Sequence, residues 1–214
     1  MINKNGVISS ANFYENGTGS TYSITGTLTD NDGVFSGFST ANYLMTNCSI
    51  SCTSDKLELY GTYTTVSDIT NEQYIFATST RNLALTVINS KFRLQTYANN
   101  NWTLVVGTTT LAANTKYYFK IISDNTTIKL YVLVNGLWVQ NASITLPAAQ
   151  TTSLIGLGVL PPNTNPYAKG TINIKDFSVR ISGQEVWSGL DAYYPNSNPK
   201  INKNYIAGHI LQEI

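Results

Sequence analysis

The 214-residue sequence predicts an all-β chain folded as an antiparallel sandwich or barrel. Three observations predict it. Short segments of alternating apolar and polar residues recur through residues 18–190. Turn signals separate them at close spacing. No stretch of that body holds a helical period, so the strand–helix–strand rhythm of a parallel sheet is missing. Antiparallel sheets of this kind bury one face each, which is what the alternation requires.

The segments follow in chain order. Residues 22–28 alternate, and Asp30-Asn31-Asp32-Gly33 reads as a turn. Leu57, Leu59 and Gly61 alternate with Glu58, Tyr60 and Thr62. Residues 74–77 are a short apolar run of the fully buried kind. Leu83, Leu85 and Val87 share a face, and Asn89-Ser90 turns the chain into Phe92, Leu94 and Thr96 as a two-residue hairpin. Asn99-Asn100-Asn101-Trp102 reads as a polar loop tip carrying an aromatic ring. Residues 116–122 form a strand, and Ile128, Leu130, Val132 and Val134 line one face of the next. Asn135-Gly136 is the strongest hairpin signal in the chain, because a type I′ turn needs positive φ at both central residues. Trp138 follows on the return strand and reads as core. Residues 154–159 are a core strand thinned by glycine, and residues 161–167 a loop. Ile172, Ile174, Phe177, Val179 and Ile181 make one long strand with a change of phase near Asp176. Ser182-Gly183 then turns into Glu185-Val186-Trp187, with Trp187 in the core.

Charge is scarce. Charged residues are 12% of the chain, and 13 basic residues balance 12 acidic ones to a net +1. That leaves no electrostatic footprint for nucleic acid and no polybasic patch for anionic lipid. No apolar run approaches the ~18–20 residues that span a bilayer. Nucleic acid and membrane insertion are therefore excluded from the expected partners. Hydrophobic residues at 42%, with 14 Tyr, supply a core and argue against disorder. Asn, Thr and Ser fill about a third of the chain and give a neutral, hydrated surface.

The ends differ from the body, which divides the chain into residues 1–17, a sandwich over 18–190 and a tail over 191–214. Both ends carry the tetrapeptide Ile-Asn-Lys-Asn, from Ile2 and from Ile201. Ile2, Val7 and Ile8 make the front apolar, and Ile206, Ile210 and Ile214 fall at i, i+4 and i+8, a helical stripe. Such segments dock on something, either a particle or second subunit or the chain's own sandwich. The opening residues hold one lysine and no apolar stretch, which is not a secretory signal. Cys48 and Cys52, four apart on one strand, would lie ~13 Å apart, beyond disulfide reach. The single His209 leaves too few ligands for a structural zinc, so no metal or cofactor is expected.

Catalytic patterns are missing as well. Glycoside hydrolysis needs two carboxylates ~5–9 Å apart. Asp55 and Glu58 face opposite ways on a strand, Asp30 and Asp32 fall in a turn, and Asp176 and Glu185 share at best neighbouring strands. A serine triad would need His209, which lies in the tail. No nucleophile elbow or phosphate loop occurs. The expectation is a protein that is not an enzyme.

Three segments carry a family resemblance. Residues 33–44, the pairing of Tyr117-Tyr118-Phe119-Lys120 with residues 130–136, and the closing residues 170–179 with 183–189 resemble concanavalin A-like (laminin-G-type) jelly-roll domains of bacteriophage virion proteins. The resemblance implies a two-sheet β-sandwich with short terminal segments outside it. It also implies a structural virion protein: a short head or tail fibre or decoration protein on the particle surface, assembled in the host cytoplasm. The partners implied are other virion proteins and further copies of the chain. Members of this fold that bind calcium, or that use a Glu-X-Asp-X-Glu strand for catalysis, have motifs this sequence lacks, so no such residue is carried over.

The alternative function is a carbohydrate-binding module acting as a host-glycan adhesin, with a glycan hydrolase third. Sugar sites stack a ring face on exposed aromatics and bond hydroxyls with amides. Trp102 with Asn99, Asn100 and Asn101 is the first candidate site, and Tyr167 with Asn163 the second. The competing reading of Trp102 is a ring packed over its own sheet.

Overall fold

The computed structural model describes residues 19–53, 56–99, 101–124, 126–146, 150–160 and 164–194. The first strands are β1 (Tyr22–Thr25), β2 (Thr29–Asn31), β3 (Val34–Ser36), β4 (Tyr43–Ile50), β5 (Leu57–Thr64) and β6 (Gln73–Thr78). The middle ones are β7 (Ala84–Ile88), β8 (Lys91–Ala98), β9 (Asn101–Thr110), β10 (Lys116–Ser123), β11 (Thr127–Val134) and β12 (Leu137–Thr145). The last are β13 (Ser153–Leu157), β14 (Val159–Leu160), β15 (Thr164–Tyr167), β16 (Thr171–Asn173), β17 (Ser178–Ile181) and β18 (Gln184–Ser188). One short helix, α1 (Gly189–Tyr193), follows, capped by the Ser188 hydroxyl, which accepts from the Asp191 N–H.

These strands build an antiparallel two-sheet β-sandwich. One sheet runs β1-β4-β13-β6-β7-β8-β9. The other runs β12-β11-β10-β5-β16-β3-β2, with β17 also beside β5 and β18 paired to β17, and β14 and β15 form a separate small pair. Period-two alternation sorts the side chains. In β10, Phe119, Ile121 and Ser123 are buried while Lys116, Tyr118 and Lys120 face outward. The facing inner surfaces meet through rings: Phe76 of the first sheet lies 6.3 Å from Phe119 and 5.9 Å from Phe177, and Phe92 lies 6.2 Å from Phe119. Trp187 is fully buried, as its sequence pattern implies, and its indole N–H reaches Asn47 Oδ1 at 2.9 Å.

Among the described residues, four two-residue turns carry positive φ at both positions: Asp32-Gly33, Asn89-Ser90, Asn135-Gly136 and Ser182-Gly183. Each sits where the turn chemistry puts it. In the first, Asp30 Oδ1 also accepts from the Gly33 N–H at 2.7 Å.

Several expectations change. β1 stops at Thr25 instead of running to residue 28, because Gly26 takes φ +71° and turns the chain away. Part of the expected loop at 161–167 is β15, paired with β14. The long strand expected from Ile172 to Ile181 is two strands with a 3-10 turn, Ile174–Asp176, between them. Both pair with one edge of β5: Ile172 lies opposite Tyr63, and Ser178 opposite Tyr60. Six residues therefore advance against three on β5, and the turn takes up the surplus. The ends of the described body meet, the Ser188 N–H donating to Ser20 Oγ at 2.8 Å.

Candidate functional site

Register assembles a surface that no single segment contains. On the outer face of the second sheet, Tyr60 of β5, Lys120 of β10, Tyr131 of β11 and Gln140 of β12 form one cross-strand row. Trp138 stands in the next row, opposite Leu133. The expectation that Trp138 is core is thus corrected: it faces outward and is half-buried, because on this strand the partners of the core residues are Val139, Ala142 and Ile144.

The rings of Tyr60 and Trp138 start from strands three steps apart, ~14 Å at ordinary strand spacing. Their centroids are nevertheless 6.5 Å apart, edge to face. The Lys120 ammonium lies 4.7 Å from the Trp138 centroid and 5.2 Å from that of Tyr131. Rings attract the cation through their negative faces. Among the described residues no carboxylate comes within ion-pair distance of Lys120. Burial pulls its pKa down, and the more distant charge of Glu58 only partly opposes this.

Polar groups frame the rings. Glu58 Oε2 accepts from the Tyr60 hydroxyl at 2.8 Å, and Arg180 lies 5.7 Å from the Tyr60 ring, opposite Glu58 in register. Burial, then the Glu58 hydrogen bond, push Tyr60 up to about 12, so its hydroxyl stays protonated. Further along the face, Asp176 Oδ2 accepts from Thr62 Oγ1 at 2.8 Å and from Asn173 Nδ2 and Lys116 Nζ at 2.9 Å each. Burial works against Lys116's charge, and the Asp176 contact more than offsets it, leaving its pKa raised. The face therefore offers apolar rings beside cationic and amide donors and a carboxylate acceptor.

The site residues expected from sequence lie elsewhere. Trp102 is the second residue of β9, not a loop-tip residue, since Asn101 already pairs with Ala98. Its ring lies against Tyr97 at 5.0 Å and keeps 37% exposure. Asn101 Nδ2 donates to Asn99 O at 3.1 Å, so the structure brings Trp102, Asn99 and Asn101 together at one turn. Tyr167 ends β15, partly buried against the core. Asn100 and Asn163, and the terminal Ile2, Val7, Ile8, Ile206, Ile210 and Ile214, lie outside the described residues.

Cys48 and Cys52 are free and buried, which pushes their thiols up to about 12 and about 11. Among the described residues no group of three or more His, Cys, Asp or Glu gathers as metal ligands do. No described helix is long and apolar enough to cross a membrane.

Reading the sequence alone overlooks Tyr60, Lys120 and Tyr131. The signal was present in the alternation, which puts Lys116, Tyr118 and Lys120 on the solvent face of one strand and Lys129 and Tyr131 on that of another.

No family model matches the chain, and no curated protein matches it. Solved structures do. The receptor binding domain of botulinum neurotoxin C/D mosaic serotype superposes with a TM-score of 0.60 at 17% identity, over 91% of this chain and 48% of that one. The binding domain of botulinum neurotoxin DC, in complex with SialylT, gives 0.54 at 12% identity, over 82% and 45%. The LG1-3 region of the laminin alpha2 chain gives 0.50 at 12% identity, over 76% and 33%. The chain thus spans about half the length of the toxin domains. At these identities the likeness establishes the fold: this chain is a jelly-roll β-sandwich of the kind found in laminin G and toxin receptor-binding domains.

Proposed function

We propose that the chain is a glycan-adhesion module, displayed on a bacteriophage particle as a short head or tail fibre or decoration protein. One observation carries the adhesion reading: Tyr131 and Trp138 converge on Lys120 and Tyr60 packs edge to face on Trp138, with Glu58, Arg180 and Gln140 at the margin. Rings of this kind take the apolar face of a pyranose, while the cations and amide donate to its hydroxyls and the carboxylate accepts from them. Similar solved domains that are named for receptor binding, one of them in complex with SialylT, support the same reading. The phage setting rests on the resemblance at residues 33–44, 117–120 with 130–136, and 170–179 with 183–189.

A glycan array on the full chain is the first test, followed by titration of the best-bound sugar. Trp138→Ala is expected to weaken binding about tenfold, or ~1.4 kcal/mol, because it removes one stacking ring. Trp102→Ala is expected to leave it unchanged. An array at background, or unchanged affinity in Trp138→Ala, would sink the proposal. Loss in Trp102→Ala alone would move the site to the β8–β9 turn. The setting is tested by looking for the protein among the components of purified particles.

A further inference from the structure

Among the described residues the first sheet ends on β9, a ten-residue strand bonded to β8 alone. Half of its backbone N–H and C=O groups point away from β8. Folded proteins usually guard such an edge with charge, proline or brevity. β9 reads Asn-Trp-Thr-Leu-Val-Val-Gly-Thr-Thr-Thr, with no charge and no proline. Trp102, Leu104 and Val106 lie opposite Tyr97, Gln95 and Arg93 of β8, on the outer face, and keep 37%, 48% and 50% exposure. Besides its bonds to β8, the strand is held by Val105, which packs against the core, and at its far end. There Asn141 of β12 packs where a Gly107 Cβ would stand and donates to Thr109 Oγ1 at 2.6 Å. A register shift against β8 between Val106 and Thr110 separates that end from the open segment, Asn101 to Val106.

We infer that this edge is the seat of a homodimer in which β9 pairs antiparallel with β9 of a second copy, joining the two first sheets into one. The open backbone requires a strand as partner, and the lack of charge gives a charged partner nothing to meet. The ridge matches itself. Under a twofold axis through Leu104, Trp102 stands opposite Val106 of the other copy, Thr103 opposite Val105, and Leu104 opposite Leu104. Aromatic against β-branched and leucine against leucine are favourable cross-strand pairs, and a twofold contact needs such self-complementarity. The surface is separate from the ring cluster around Lys120, which lies on the other sheet.

Sedimentation of the full chain at about 100 µM, where a small interface should be occupied, is expected to give twice the 23.4 kDa chain mass. Leu104→Lys sets two like charges opposite each other and is expected to abolish the dimer while leaving circular dichroism unchanged. Leu137→Lys, at a still more exposed position on β12, is expected to leave it intact. A Leu104→Cys variant provides a check that does not depend on tolerance of the lysine. It is expected to form a disulfide-linked dimer on mild oxidation, since the native thiols are buried, whereas Leu137→Cys does not. A monomer at that concentration, a trimer, or a dimer untouched by Leu104→Lys would overturn the inference. So would failure of Leu104→Cys to cross-link, the outcome if a terminal segment of the same chain or a foreign strand occupies the edge.

Discussion

Gly158 and Gly136 both sit at positive φ, +83° and +77°, yet their surroundings differ. A Cβ at Gly136 would meet nothing within 4 Å, whereas one at Gly158 would lie 2.0 Å from the Phe38 ring, itself buried in the core. Gly136→Ala should therefore cost only the backbone strain, about 1 kcal/mol. Gly158→Ala adds overpacking and should cost about 2–4 kcal/mol. Urea unfolding of the two variants checks the ordering, and equal costs would contradict the packing described. Cys48 and Cys52 lend themselves to a second residue-level measurement. Burial raises both thiols, so thiolate is scarce at neutral pH, and a thiol reagent should react only as fast as the protein opens. Rapid labelling of the native protein would count against that.

At the scale of elements, the fork at β5 depends on one carboxylate. Asp176 closes the 3-10 turn and accepts from Thr62 on β5, Lys116 on β10 and Asn173 at the end of β16. Asp176→Ala leaves the buried Thr62 hydroxyl without that acceptor and should lower unfolding stability by about 1–3 kcal/mol. Little of this fork is legible in the sequence. The phase change near Asp176 is visible, but the three surplus residues show only once the chain is laid against β5. Turns such as Asn135-Gly136 are legible because their chemistry is local. β9 escapes notice because Leu104-Val105-Val106 breaks the alternation, as an edge strand can when neither face is fully covered. Trp138 misleads for the same reason, with Leu137 and Val139 exposed on either side of it. The ring cluster at Lys120 joins residues from four strands, so its parts are readable and its assembly is not.

For the whole molecule, titration sets a window of stability. Asp124 is held down to about 2, chiefly by hydrogen bonds from Thr127, and Asp68 is lowered by Lys169 and Thr70. A depressed carboxylate stabilises above its unfolded pKa of ~4, and the gain is lost as pH falls toward the folded value. Tyr63 and Tyr74, raised by burial to about 12, behave oppositely. The unfolded chain loses those protons first, near pH 10, and the buried thiols add to this from about pH 9, so stability should fall between about pH 9 and 12. Thermal melting across pH is expected to be flat near neutrality and to drop on both sides. A melting temperature that holds at pH 11 would contradict the alkaline limb.

The hydrogen bond from the Ser188 N–H to Ser20 Oγ also has a use outside this chain. A body whose entrance and exit stand side by side can be spliced into a surface loop of a host protein without stretching it. By the same geometry, linking residue 19 to residue 194 and opening the chain at Asn135-Gly136 should yield a circular permutant with the parent's spectrum.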